Sequence, residues 1–197
     1  YETNTCYSID VVSATDIYVG SINGIIYHYD GSAWTFTTAN AGHIKDIQMD
    51  ASDSGWALAS DGEILYYNGF GWSLQHDIER SSCTTISVSS TSDIWVGSAQ
   101  QFDGVTKLGH WDGSEWLVVL NGYGRKINSM RALSGSDIWF IGSNPYYGDS
   151  GTNISHWNGT SLQEITSPTS NTLYDIYMMS ETDGWAVGGD GVVLRYH

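Results

Sequence analysis

The sequence predicts an all-β fold, a five-bladed β-propeller of four-stranded antiparallel blades whose fifth blade lacks its outer strand. A unit of roughly 40 residues recurs along the chain without a helical period, and repeats of this length are typical of propeller blades. The third unit, Asp93–Trp116, shows the pattern in full as DIWVG…GHWDGSEW. We predict one domain over residues 1–197, with blades at about 6–38, 44–76, 83–120, 127–166 and 173–197.

The first strand of each unit carries apolar residues at alternating positions, which is the period of a strand with one buried face. We predict that these strands line the central channel and contain, in blade order, Ile9, Ile47, Ile86, Met130 and Ile176. Cys6 and Cys83 occupy a position that holds isoleucine or leucine in the other units. Both cysteines are therefore predicted to be buried and unpaired.

A polar turn and an aromatic second strand follow in every unit. The turn ends in an aspartate, at Asp16, Asp53, Asp93, Asp137 and Asp183. Aspartate in such a turn usually accepts hydrogen bonds from nearby backbone N–H groups, so we predict a capping role. The second strand then carries one aromatic residue, of which Trp95 is predicted to be buried.

The third and fourth strands are joined by an Asp-Gly or Asn-Gly pair, which predicts a hairpin turn with positive φ at both residues. These pairs are Asp30-Gly31, Asn68-Gly69, Asp112-Gly113 and Asn158-Gly159. Shortly before them lie His28, His110 and His156, on a strand remote from the axis, so we predict structural histidines rather than metal ligands. The last unit stops without such a pair, which predicts an unpaired edge over Gly191–His197. A strand from another copy, or from a neighbouring domain of a longer parent chain, is expected to cover it.

The repeated DIWVG…GHWDGSEW pattern resembles repeats of secreted and cell-surface bacterial β-propellers. The last unit, GWAVGGDGVVLRY, is similar to the blade motif of photosystem-II assembly-factor propellers, and the blade number and tryptophans resemble the five-bladed tachylectin lectins. This resemblance covers nearly the whole chain and implies the propeller fold, with a location outside the cell or at its surface. Fold-forming residues carry it, so it says little about the ligand.

Composition narrows the classes of partner. The chain has 7 basic and 22 acidic residues and a formal net charge of −15, which disfavours nucleic acid and anionic membrane surfaces. No apolar run is long enough for membrane insertion. The sequence has no phosphate-binding glycine loop, no HExxH motif and no paired-cysteine zinc pattern, so we predict a protein without cofactor that is not an enzyme.

Two long connections between second and third strands, residues 98–109 and 143–155, break the repeat on one predicted face of the propeller. Aromatic and charged side chains collect there and in the adjoining segment 121–126, and such mixtures suit glycan stacking or a protein interface. The candidate ligand-binding residues are Phe102, Asp103, Tyr123, Arg125, Tyr146, Tyr147 and Asp149.

Two further patterns lie in this region. The segment that starts at Asp149 resembles a calcium loop but lacks a third acidic ligand and a distal glutamate, so no metal is predicted. Asn153 and Asn158 match the acceptor pattern for N-linked glycans, and Asn153 is the better candidate because Asn158 already belongs to a hairpin turn.

The sequence therefore supports two hypotheses of different classes. The first is a non-enzymatic extracellular propeller that recognises a glycan or a protein through loops 98–109 and 143–155. The alternative is a structural or adhesin subunit of a self-assembling or multidomain surface protein, completed by a donated strand.

Overall fold

The computed structural model describes residues 4–78, 82–99, 107–122, 125–143 and 152–197. These residues form 19 strands in five antiparallel sheets, and the predicted five-bladed β-propeller is confirmed. Four blades have four strands and the fifth has three, as predicted. Apart from the 3₁₀ turns Ile22–Gly24 and Gly189–Gly191, the described residues contain no helix.

The strands of each blade follow one another in chain order, so every blade is a meander. Blade one consists of β1 (Cys6–Ser13), β2 (Asp16–Ser21), β3 (Ile25–Tyr29) and β4 (Trp34–Thr38). Blade two consists of β5 (Ile44–Ala51), β6 (Ser54–Ala59), β7 (Glu63–Tyr67) and β8 (Trp72–Asp77). Blade three consists of β9 (Cys83–Ser90), β10 (Asp93–Ser98), β11 (Lys107–Trp111) and β12 (Trp116–Asn121). Blade four consists of β13 (Lys126–Ser134), β14 (Asp137–Ser143), β15 (Thr152–Trp157) and β16 (Leu162–Ile165). Blade five consists of β17 (Leu173–Ser180), β18 (Asp183–Gly188) and β19 (Val193–Tyr196).

The chain divides into two compact units, Tyr1–Thr91 and Ser92–His197. The first unit contains blades one and two with β9, and the second contains β10 to β19. That the whole chain is one domain stays a prediction.

In the first unit, the core lies between the sheets of blades one and two. Tyr18 of β2 is 2% exposed and packs with Ile44 and Ile47 of β5. The chain approaches closely here, because a Cβ atom built on Gly20 would lie 2.6 Å from Cγ2 of Ile44. A side chain at this position would push the two sheets apart, which explains the small residue that ends the second strand.

The second unit repeats this arrangement twice. Trp95 of β10 packs with Ile127 and Met130 of β13, and Trp139 of β14 packs with Ile176 of β17. Trp95 and Trp139 are 1% and 3% exposed. Tyr18, Trp95 and Trp139 therefore each fill the space between their own sheet and the first strand of the following blade.

Polar side chains of the first strands also join consecutive blades. In the first unit, the Met49 backbone N–H donates to Oδ2 of Asp10 at 2.6 Å, and the Val88 N–H donates to Oε1 of Gln48 at 2.7 Å. In the second unit, the hydroxyl of Ser129 donates to Oδ1 of Asp175 at 2.6 Å. The first two bonds satisfy backbone N–H groups of first strands, and the third joins two side chains of consecutive blades.

Two expectations for β1 are wrong. Cys83 is buried as predicted, but Cys6 is exposed; the two cysteines do not form a disulfide, as predicted. Ile9 is 64% exposed, whereas Ile47, Ile86, Met130 and Ile176 are buried. The reason is that first-strand residues become buried against the preceding blade, and blade one is the first blade of its unit. The channel itself stays a prediction.

We expect Trp95→Ala to lower the free energy of unfolding by roughly 3–5 kcal/mol, the range for deleting a large buried aromatic side chain. Trp185→Ala is the matched control, because Trp185 has the equivalent position in blade five and is 41% exposed. It should cost clearly less than Trp95→Ala, since a large part of the apolar area of Trp185 is already in contact with water. Urea unfolding of the three proteins makes the comparison, and equal losses for both variants would show that the packing between blades contributes nothing.

Candidate functional site

Most of the predicted loop site lies outside the described residues. This holds for Phe102, Asp103, Tyr123, Tyr146, Tyr147 and Asp149. Arg125 is described, and it is half-buried at the bend before β13. The loop site therefore stays a prediction.

The histidines form the same side-chain arrangement in blades one, three and four. The Nε2 atoms of His28, His110 and His156 lie 2.7, 2.7 and 2.8 Å from Oδ1 of Asp16, Asp93 and Asp137, respectively. Each imidazole also stacks on the second-strand aromatic of its own blade, with ring centroids 4.1–4.2 Å apart and planes within 13°. The prediction of structural histidines is confirmed, because each ring is bonded on its edge and packed on its face.

The capping role predicted for the aspartates is wrong for Asp16 and Asp137, whose carboxylates bond to histidine instead. Asp16, Asp93 and Asp137 begin their strands and bond across the sheet to histidine, and Oδ1 of Asp93 also accepts the indole N–H of Trp95 at 3.0 Å. In blade two the equivalent residue is Ser54, not Asp53, and it bonds to the hydroxyl of Tyr66 at 3.1 Å. In blade five Asp183 lies 3.3 Å from Nε of Arg195.

The hydroxyl group of Tyr18 also has a structural role. Its hydroxyl donates to the carbonyl of Ser52 at 3.1 Å, and burial, with Tyr67 next in importance, raises its pKa above the ordinary range. The phenol therefore stays protonated and serves as a donor between blades one and two.

The Asp-Gly and Asn-Gly turns differ from the prediction in one respect. Their glycines have positive φ, but Asp30, Asn68, Asp112 and Asn158 do not. The turn is instead held by the side chain: Oδ1 of Asp30 accepts the backbone N–H groups of Ser32 and Ala33 at 2.8 and 2.9 Å. Asn68 uses its Oδ1 in the same way. Because this side chain supplies the acceptor, only the glycine has to adopt the left-handed conformation.

Glycosylation of Asn153 and Asn158 stays a prediction. Asn153 lies in β15 and donates through Nδ2, the atom that a glycan would modify, to Glu164 at 3.0 Å. Asn158 is exposed and accepts through Oδ1 from the backbone N–H of Ser161 at 2.9 Å.

Blade five presents an uncovered sheet face. We define the open face as Tyr177, Met179, Trp185, Val187 and Val193, which are 55%, 55%, 41%, 42% and 61% exposed. The guanidinium of Arg195 lies 5.4 Å from the ring of Trp185, and Val187 pairs with Val193 across the sheet. The equivalent face of blade four carries Trp139 and Ile141, which are 3% and 0% exposed because blade five covers them.

An apolar cavity of about 330 Å³ lies within the second unit between blades four and five. Its walls include Ile154 and Ile165 of blade four and Leu194 and Tyr196 of β19. Aliphatic and aromatic groups dominate it, as in sites that accept an apolar side chain. The sequence did not predict this cavity, because the cavity forms between two blades and no single repeat carries a pattern for it.

Neither a metal centre nor a membrane helix is found in the described ranges. No three His, Cys, Asp or Glu side chains there are grouped so that they could hold a metal ion. Among the same residues, no helix has the length and apolar character that crossing a membrane requires.

Comparisons with known proteins agree with the fold. No protein-family model and no curated protein sequence matches the chain. YCF48 from Cyanidioschyzon merolae is similar in structure, with a TM-score of 0.66 and 16% identity over 96% of this chain and 66% of that one. The WD40 β-propeller domain of Doa1 matches with a TM-score of 0.69 and 11% identity over 98% of this chain and 65% of that one. The extracellular domain of a putative one-component system from B. thetaiotaomicron matches with a TM-score of 0.67 and 18% identity, over 97% of this chain and 27% of that one. The chain thus spans about two thirds of the first and second of these proteins, and identities this low show the fold alone.

The hairpin turns give a pH-dependent stability. The pKa of Asp30 is lowered from 3.8 to about 2, chiefly by the N–H of Ala33, and that of Asp112 likewise, chiefly by the hydroxyl of Ser114. A carboxyl group with a depressed folded-state pKa stabilises the fold above its unfolded pKa, and this contribution disappears between about pH 4 and pH 2. We expect the double variant Asp30→Asn, Asp112→Asn to lose less stability over this interval than the wild type, while keeping its fold at neutral pH.

Asparagine is a matched replacement, because Asn68 and Asn158 occupy the same position in blades two and four. Urea unfolding at a series of pH values measures the difference. Identical acid profiles for the variant and the wild type would contradict the assignment.

Proposed function

We propose that the chain is a non-enzymatic binding scaffold and that the open face of blade five is a protein-binding surface. The observation that carries this proposal is the exposure of Trp185 and Val187 at positions that are buried in blade four. A contiguous apolar face on a soluble sheet is typical of an interaction site, and tryptophan is enriched among the residues that contribute most to binding.

The chemistry of this face fits a protein partner. Trp185 offers a flat apolar ring flanked by Arg195, and Tyr177 lies opposite Trp185 in the neighbouring strand. Aromatic residues and arginine are enriched in protein interfaces. The net charge of −15 makes nucleic acid an unfavourable partner.

The finer proposal concerns the loops and the location. We propose that the protein is secreted or displayed at a cell surface and that loops 98–109 and 143–155 recognise a glycan or a second protein. The aromatic and acidic composition of these loops supports this proposal. The structural similarity to an extracellular domain is in keeping with it.

A structural or adhesin subunit is the second candidate. The observation that favours it lies in the first unit, where Tyr7, Ile9 and Val11 form an exposed apolar row along β1. A strand with this face is the kind of surface that packs against a further blade in a self-assembling or multidomain protein, as β5 packs on blade one.

The double variant Trp185→Ser, Val187→Ser tests the binding surface. A partner is first captured with the wild-type protein from an extract of the source cells, then purified and titrated against each protein. We expect the variant to bind at least about tenfold more weakly, as loss of a central aromatic anchor does.

The double variant Leu117→Ser, Val118→Ser is the control, because it removes two exposed apolar side chains of β12 instead. Equal affinity of the partner for all three proteins would show that the open face is not the binding surface.

A glycan array tests the loop hypothesis separately, with the wild type and the variants Tyr146→Ala and Tyr147→Ala. A signal that is lost in the loop variants supports glycan recognition by the loops. A signal that is unchanged in them contradicts it.

A further inference from the structure

The last strand of blade five, β19, ends its sheet, which is ordered β17-β18-β19. In the other blades the equivalent strands β3, β7, β11 and β15 each pair with a fourth antiparallel strand. The position beside β19 is thus the one that a fourth strand occupies in four of five blades.

The backbone of β19 has the orientation that a further strand needs. The N–H of Gly188 donates to the carbonyl of Val192 at 3.0 Å, so Val192 and, by alternation, Leu194 and Tyr196 direct their backbone groups towards β18. Val193 and Arg195 direct theirs to the opposite side. These are the groups that an added antiparallel strand would bond.

The cavity of about 330 Å³ lies along the same strand, with Leu194 and Tyr196 in its wall. In blades two and four the corresponding space receives the first residue of the fourth strand. Trp72 packs against the core between blades one and two, and Leu162 packs against the core between blades three and four. The described residues supply no fourth strand to blade five, so none of them places this side chain in the space between blades four and five.

The register identifies which residue of an added strand would enter the cavity. Tyr196 pairs with Gly184 as Tyr67 pairs with Gly55, so Tyr196 and Tyr67 have the same place in their blades. Tyr67 faces Trp72 across the hairpin with ring centroids 5.2 Å apart, and Tyr29 faces Trp34 at 5.4 Å. A residue opposite Tyr196 would share its face of the sheet and point into the cavity.

We propose that β19 binds an extended peptide segment of a partner protein as a fourth, antiparallel strand, with a tryptophan or leucine opposite Tyr196 seated in the cavity. Backbone bonds to Val193 and Arg195 supply affinity for any extended chain, and the cavity selects the side chain. This inference rests on the proposed binding function but uses the backbone edge of β19 and the cavity, whereas the open face presents side chains. Val193 contributes its side chain to the open face and its backbone to the edge.

The probe is a labelled, end-capped peptide with the sequence of residues 71–78, GWSLQHDI, which holds the fourth strand of blade two. Its binding to the whole chain is measured by fluorescence anisotropy, beside a peptide in which the tryptophan is replaced by alanine. We expect saturable binding that weakens at least about tenfold with the alanine peptide, since the cavity then stays unfilled.

Two variants of Val193 test the edge. Val193→Pro removes the outward N–H and leaves the ladder to β18 intact, which strands tolerate at an edge. Val193→Ala also removes side-chain atoms but keeps the N–H. Binding should weaken at least about tenfold for the proline variant only, while circular dichroism and the thermal midpoint show that both variants fold.

Other outcomes overturn the proposal. Absence of peptide binding, or equal binding by the Val193→Pro variant, would show that β19 accepts no strand. Self-association of the wild type that Val193→Pro abolishes would assign the edge to a second copy instead of a separate partner. Val187→Ser removes a side chain of the open face that does not line the cavity, and it leaves the outward backbone groups of β19 in place. Peptide binding that is unchanged in this variant therefore distinguishes failure at the open face from failure at the edge.

Discussion

In both compact units of the chain, the core depends on the packing of a second-strand aromatic residue against the first strand of the following blade. A single antiparallel sheet has two faces and cannot bury both by itself, so an isolated blade would be marginal. Tyr18, Trp95 and Trp139 fill the space between neighbouring sheets, so that one face of each sheet is buried. A histidine stacks on each of these rings and holds its orientation. The Asp–His bond then fixes the histidine, so the paired polar groups serve the core rather than catalysis.

The same constraint explains why blade five differs from its neighbours. Its second-strand aromatic, Trp185, has an arginine in place of the stacked histidine and is partly exposed. The described residues give blade five no fourth strand, and this leaves the outer edge of β19 and the adjoining cavity. The open face and the outer edge of β19 are therefore exposed, whereas the equivalent surfaces of blade four are covered. Both have the geometry that sheet packing and strand addition require.

The repeat allowed the strand order, the structural histidines and the three-stranded last blade to be predicted from sequence, because each depends on local pattern. Burial could not be predicted in the same way. Cys6 occupies the same repeat position as Cys83, yet only Cys83 is buried, since burial comes from the preceding blade. The aspartate of blade two was misplaced by one residue because Asp53 precedes Ser54, and only the sheet register shows which of the two faces Tyr66. The cavity depends on contacts between blades and left no local signal.

That β19 is an uncovered edge can be tested most directly by amide hydrogen exchange resolved by residue. His28 of blade one pairs with Thr35 of a fourth strand, and Arg195 has the equivalent position in blade five. Both amides point away from the second strand, but only that of His28 has a strand to bond. We expect rapid exchange at Arg195 and slow exchange at His28, with slow exchange also at Leu194, which bonds towards β18. Protection of the Arg195 amide equal to that of His28 would contradict the account, because it would show that the edge is already covered.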